Sequence, residues 1–125
     1  MILDTNAVSA LAQQDVALLA ILNEVDRAFL SFVTVAEFRF GLLGSKKAES
    51  GITFLDALTA AMPTLYPDAQ TVEGYSRIAD QLKRSGRPIP QNDMWTAALA
   101  LQTGMPVLSR DRHFDFVDGI TRVGW

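Results

Sequence analysis

The chain has 125 residues, 49% of them hydrophobic, which is enough for one domain over 1–125 with a real core and leaves no room for a second of ordinary size. Cysteine is absent, so disulfides and thiolate chemistry are excluded, and any metal must be held by oxygen or by the single histidine, His113, which argues for a hard cation. The formal charge of -3 does not by itself point to nucleic acid, and no apolar run reaches the ~18 residues of a membrane span, so the cytoplasm is the expected compartment.

Met1-Ile2-Leu3 reads as a short buried strand ending at Asp4. Residues 15–25 have few polar positions and predict a helix. Residues 28–33 predict a second strand, after which Thr34 is placed to cap a helix reaching about Leu43. Thr34 and Glu37 have capping-box spacing, which would turn the Glu37 carboxylate back to its own backbone and competes with a ligand role. A helix over 48–61 is expected to be interrupted or bent near Gly51, and Pro63 ends it. Leu65-Tyr66 predicts a short strand. A helix then runs from Asp68 or Thr71 to about Arg84, with Ile78 and Leu82 on its inward stripe. Ser85-Gly86-Arg87-Pro88-Ile89-Pro90 is a loop whose two prolines restrict the path toward Asp93. Met94 to Thr103 predicts an apolar helix, capped by Asn92 or Asp93 and stopped at Gly104. Residues 105–109 predict a strand before Asp111, and residues 121–123 a final one.

This alternation favours an α/β sandwich with a mostly parallel sheet, in which ligands bind beyond the carboxyl ends of the strands. Asp4 and Asp111 both follow predicted strands, so their separation in sequence is no obstacle to their meeting. Asp4, Glu37, Asp93 and Asp111 all lie in or beside apolar elements, where an unpaired carboxylate is costly. Together they would suit Mg²⁺ or Mn²⁺, which prefer oxygen ligands, and such a centre can hold a phosphodiester and activate water. Each acid also has a structural reading: Asp93 as a helix cap, Asp4 and Asp111 as residues ordering turns, and Asp111 as a partner of Arg110 or Arg112. Asn6 is a candidate hydrogen-bond partner for a carboxylate, and Thr34 and Ser109 are candidates to orient the acids. Asp115 is either an additional ligand or, the favoured reading, a surface acid. His113 has no serine, cysteine or second histidine in a recognisable arrangement and is read as a packing or substrate-contact residue. Committing four of the fourteen acids to a cation leaves ten against eleven basic side chains. Basic groups gather at Arg77, Lys83, Arg84 and Arg87 before Asp93, and at Arg110 and Arg112 around Asp111. They are either solvated faces or groups that neutralise phosphates.

Leu3-Asp4-Thr5-Asn6, Thr34-Val35-Ala36-Glu37, Pro90-Gln91-Asn92-Asp93 with its alanine-rich helix, and Leu108-Ser109-Arg110-Asp111-Arg112-His113-Phe114 occur in an order that resembles the PIN domain. Within it, the chain is similar to the VapC-type ribonuclease toxins of type II toxin-antitoxin systems. The resemblance implies a three-layer α/β/α sandwich, Mg²⁺ or Mn²⁺ dependence, endonucleolytic cleavage of RNA, and a homodimer inhibited by a cognate antitoxin. It carries the acidic positions over to Asp4, Glu37, Asp93 and Asp111, with Asn6 as a polar companion. The segment Gly86-Arg87-Pro88-Ile89 resembles the one preceding the third acid. Arg87, Arg110 and Arg112 become candidates for holding the RNA backbone. The alternatives are another metal-dependent phosphoesterase or DNA nuclease, or a noncatalytic RNA-binding or antitoxin-binding module. The apolar faces of helices 15–25 and 68–84 are candidate oligomer or antitoxin surfaces, or core.

Overall fold

A computed structural model describes residues 1–125. In chain order the elements are β1 (Ile2–Leu3), α1 (Thr5–Ala12), α2 (Val16–Asn23), β2 (Phe29–Ser31), α3 (Phe32–Leu42), α4 (Ala48–Ala61), β3 (Thr64–Leu65), α5 (Ala69–Ser85), α6 (Gln91–Thr103), β4 (Val107–Leu108), a 3-10 helix (Arg112–Phe116) and β5 (Arg122–Val123). The five strands form one sheet in the order β3-β2-β1-β4-β5, and every pairing is parallel. This is the α/β architecture expected from the sequence. No single helix is long and apolar enough to cross a membrane.

Alternation along the short strands divides the core in two, because successive side chains of a strand point to opposite faces. Ile2 and Val107 pack with Ile78 and Leu82 of α5, the alanine-rich turns of α6 and Phe114 of the 3-10 helix. Leu3, Leu30 and Leu108 point the other way, onto Ala7 and Val8 of α1, Leu18 of α2 and Leu58 of α4. Helix α3 serves both layers, with Phe32 on the first cluster and Val35 and Phe38 on the second. The strand order reverses at β1, so the crevice beyond the ends of β1 and β4 is the place where such a sheet accepts a ligand.

Several local expectations change. Helix α1 begins directly after Asp4, a segment in which eight residues give too little periodicity to separate helix from turn. Ser31, not Thr34, is the N-cap of α3, and its hydroxyl accepts the Thr34 N–H. The Thr34–Glu37 capping box is therefore absent, and the Glu37 carboxylate is free to point elsewhere. Helix α4 runs through Gly51 as a single element. The glycine there serves proximity: a Cβ would run into the Leu42 side chain at the end of α3. Helix α6 starts at Gln91 behind Pro90, so neither Asn92 nor Asp93 caps it, and Asp93 lies in its first turn. Asp68 and Thr71 form a capping box on α5, and Gly86 closes that helix in the left-handed region at φ 67°. The 3-10 helix over 112–116 has no periodicity signal at that length and appears only in the structure.

Candidate active site

Strand register sets the geometry. Leu3 pairs with both Leu30 and Leu108, so the next residues, Asp4, Ser31 and Ser109, stand side by side at the carboxyl edge of three adjacent strands. All three are buried, Asp4 with 8% of its surface exposed. Asp4 Oδ2 accepts from Ser109 Oγ at 2.8 Å and from Asn6 Nδ2 at 3.1 Å. Asn6 Nδ2 also donates to Ser109 Oγ at 3.0 Å, while its Oδ1 accepts the Arg110 backbone N–H at 3.1 Å. Ser109 Oγ in turn accepts the Asp111 backbone N–H at 2.9 Å. One hydroxyl and one amide thus tie the end of β1 to the loop after β4, and the placements of Asp4 and Asp111 depend on each other.

Thr34 plays a more distant part than its sequence setting suggests. Its Oγ1 donates to the Leu3 carbonyl at 3.2 Å and accepts from Ser31 Oγ at 3.0 Å, and Ser31 Oγ also meets Thr96 Oγ1 at 3.2 Å. This buried hydroxyl chain fixes β1, β2, α3 and α6 to one another, and Thr34 touches no carboxylate. Glu37, half-buried on α3, accepts from Thr5 Oγ1 at 2.9 Å.

Asp93 and Asp111 converge on His113. Its Nδ1 lies 2.9 Å from Asp111 Oδ1 and 3.2 Å from Asp93 Oδ2, and one ligand atom from each of the three residues falls within 4.8 Å of the others. His113, read from the sequence as a packing or substrate-contact residue, lies between the two acids. The available signal was its position two residues after Asp111, which the 3-10 turn converts into proximity: Asp111 Oδ1 accepts the His113 N–H at 2.9 Å. The turn-ordering role foreseen for Asp111 is therefore real and coexists with its place in the cluster. Asp4 lies outside this tight group but within electrostatic reach of it, and Glu37 within reach of Asp4.

The charges interact strongly. Burial pushes the Asp4 carboxyl above the usual range against the lowering effect of the Ser109 hydrogen bond, and the charges of Glu37 and Asp111 raise it further. Asp93 is pushed up to about 6, first by burial and then by the charge of Asp4, with the charge of Asp111 adding to this and the His113 hydrogen bond opposing it. Carboxylates crowded in this way favour a cation between them. Oxygen donors from Asp93 and Asp111 with one imidazole nitrogen form a set that fits a divalent metal.

The remaining candidates separate. Asp115 is held by Arg122 through two bonds, Nε to Oδ1 at 2.8 Å and NH2 to Oδ2 at 2.9 Å, which also holds its pKa down. Arg110 is paired with Asp15 at 2.9 Å and lies 4.5 Å over the Trp125 ring, so Asp111 takes neither of its flanking arginines as an ion-pair partner. Arg112 is exposed, and Arg87 is exposed with its guanidinium 5.1 Å above the Phe116 ring.

The PIN domain family matches residues 1–120. The chain is 34% identical over 101 residues to "Ribonuclease VapC1" of Haemophilus influenzae (strain R2866), a match covering 80% of this chain and 75% of that protein. It is 34% identical over 100 residues to "Ribonuclease VapC5" of Mycobacterium tuberculosis, covering 78% and 74% of the two chains. Among solved structures, VapBC-1 from nontypeable Haemophilus influenzae superposes with a TM-score of 0.89 at 29% identity over 99% of this chain and 96% of that one. A member of the VapBC family of toxin-antitoxin systems from Mycobacterium tuberculosis, VapBC-5, gives 0.76 at 33% identity, covering 98% and 97%.

Proposed function

Because this chain belongs to the PIN domain family, we propose that it is the ribonuclease toxin of a toxin-antitoxin pair: one nuclease domain over residues 1–125, cutting RNA internally with Mg²⁺ or Mn²⁺. The observation that carries this reading is the crowding of Asp4, Asp93 and Asp111 at the switch point of the sheet, with Asp93 raised to about 6 by burial and by its acidic neighbours. Such an arrangement is unstable as three bare anions and suits a phosphodiesterase centre. Asp93, Asp111 and His113 would hold the metal, with Asp4 beside them, and Glu37 adds negative charge from α3. Mg²⁺ or Mn²⁺ held there would lower the pKa of a water and neutralise charge developing on the phosphoryl group and leaving oxygen.

The rest is the work of the chain. Ser109 and Asn6 hold Asp4 Oδ2 and so fix the direction in which its other oxygen points. His113 sits between Asp93 and Asp111 and holds the two carboxyls in one place. Arg112, beside the centre and without a carboxylate partner, is the cation available to an RNA phosphate, whereas Arg110 is already engaged with Asp15 and Trp125. A cognate antitoxin and a second copy of the chain are the protein partners. Exposed Phe40 and Leu43 at the end of α3, with Val16, Tyr66 and Val72, are the apolar side chains open to them.

The test uses purified, antitoxin-free protein with total RNA and Mg²⁺ or Mn²⁺, mapping new ends beside the Asp4→Asn variant. Wild type should generate discrete internal ends, and the variant, folded to the same extent, should lose about 100-fold or more in rate. Equal cleavage by both would remove Asp4 from the site. Turnover of small phosphate monoesters in place of RNA would replace the ribonuclease by a phosphatase.

A further inference from the structure

Beside the acidic centre lies an open groove of about 650 Å³, bordered by the last turns of α5, by Arg87 and by Phe116 of the 3-10 helix. That size is within the ~300–1,000 Å³ of sites for small organic groups. Phe116 links the groove to the centre, because it shares the 3-10 helix with His113 and their ring centroids are 6.5 Å apart.

The backbone that carries Arg87 is fixed on both sides. Its backbone N–H donates to the Leu82 carbonyl at 3.1 Å, Gly86 turns the chain at φ 67°, and Pro88 and Pro90 lock the path on either side of buried Ile89. Four other arginines are committed to carboxylates: Arg77 to Glu73, Arg84 to Asp80, Arg110 to Asp15 and Arg122 to Asp115. Arg87 has none; its guanidinium carbon lies over the Phe116 ring instead, 5.1 Å from the centroid. The lining carries three aspartates against two arginines, with Asp80 paired to Arg84 and Asp115 paired to Arg122 from outside the groove, so it has no surplus of positive charge. Such a groove is a poor phosphate site. A planar cation fixed on an aromatic ring is a platform for a flat, uncharged ring system, which is how single-stranded RNA is held on arginine and aromatic faces.

We propose that this groove is the subsite for one unpaired nucleobase adjacent to the scissile phosphodiester, stacked on the Arg87–Phe116 platform. The inference rests on the ribonuclease reading above and names which part of the RNA is gripped. Backbone charge is neutralised elsewhere; here the strand is recognised by stacking.

The experiment measures kcat and KM for the full-length protein with Mn²⁺ on a single-stranded RNA of mapped cleavage site. It compares wild type, Arg87→Lys and Phe116→Leu, and repeats each with abasic residues placed in turn on either side of the cut. Arg87→Lys keeps the charge and loses the plane, and Phe116→Leu keeps apolar volume and loses the ring face. Each variant is expected to raise KM about tenfold, the loss of one base stack. One abasic RNA should impose a similar rise on wild type and little more on the variants. An Arg87→Lys enzyme with wild-type KM, or abasic penalties equal in all three proteins, overturns the subsite while leaving the ribonuclease intact. Failure of wild type to cut any RNA overturns both. Should Phe116→Leu fail to fold, the Arg87→Lys comparison decides alone.

Discussion

Neutralising Asp93 should stabilise the metal-free protein at neutral pH, even though the residue belongs to the proposed catalytic centre. In the folded chain its carboxyl titrates at about 6, chiefly because of burial and the charge of Asp4. An unfolded aspartate titrates at about 3.9. Between these values the native state binds more protons than the unfolded chain, so stability falls as pH rises through that window and the loss is complete above about pH 6. Two pKa units correspond to about 3 kcal/mol for a fully buried group. Asp93 sits at the mouth of the site with 14% of its side chain exposed, and screening by water reduces the figure to about 1–2 kcal/mol. Asp93→Asn keeps an acceptor for His113 and removes the charge. Thermal melts in chelator-containing buffer should therefore show the variant melting about 3–8 °C above wild type at pH 7.5 and equal to it near pH 4. Adding Mn²⁺ should reverse the order, because the cation stabilises only the protein that can bind it well. A wild-type melting temperature flat between pH 4 and pH 6.5, or a variant destabilised at pH 7.5 without metal, would refute the electrostatic account of the site.

Two further outcomes test other parts of the constellation. Ser109→Ala removes a buried hydroxyl that donates to Asp4 and accepts from Asn6 and the Asp111 backbone; it should cost about 1–3 kcal/mol in urea unfolding and also weaken Mn²⁺ binding, measured by calorimetry. Unchanged Mn²⁺ affinity would mean that Asp4 and Asp111 hold their places without it. Asp115→Asn should leave Mn²⁺ affinity within about twofold, since both oxygens of its carboxylate are engaged by Arg122. A tenfold loss of metal affinity would instead make Asp115 a ligand.

What the sequence by itself determined is the alternation of strands and helices and the acids that follow the strands. Apolar runs such as Ile2–Leu3 and Val107–Leu108, each followed by polar residues, are local features, and a parallel sheet is the economical way to bury several of them between helices. The order of Asp4, Glu37, Asp93 and Asp111 in their motifs carried the family resemblance for the same reason: each acid lies next to its own motif and flanking element along the chain. Tertiary structure decided the rest. Whether Thr34 or Ser31 caps α3 depends on where β2 ends, and β2 ends where its pairing with β1 and β3 stops. The sharing of Ser109 by Asp4 and Asp111 follows from β1 lying beside β4, a pairing across more than a hundred residues that no local pattern encodes. His113 joins the acids only because a 3-10 turn, too short to show periodicity, brings its ring back over Asp111 and against the first turn of α6. Local propensity reaches along a few residues of chain; contacts between distant strands and helices are made only when the sheet assembles.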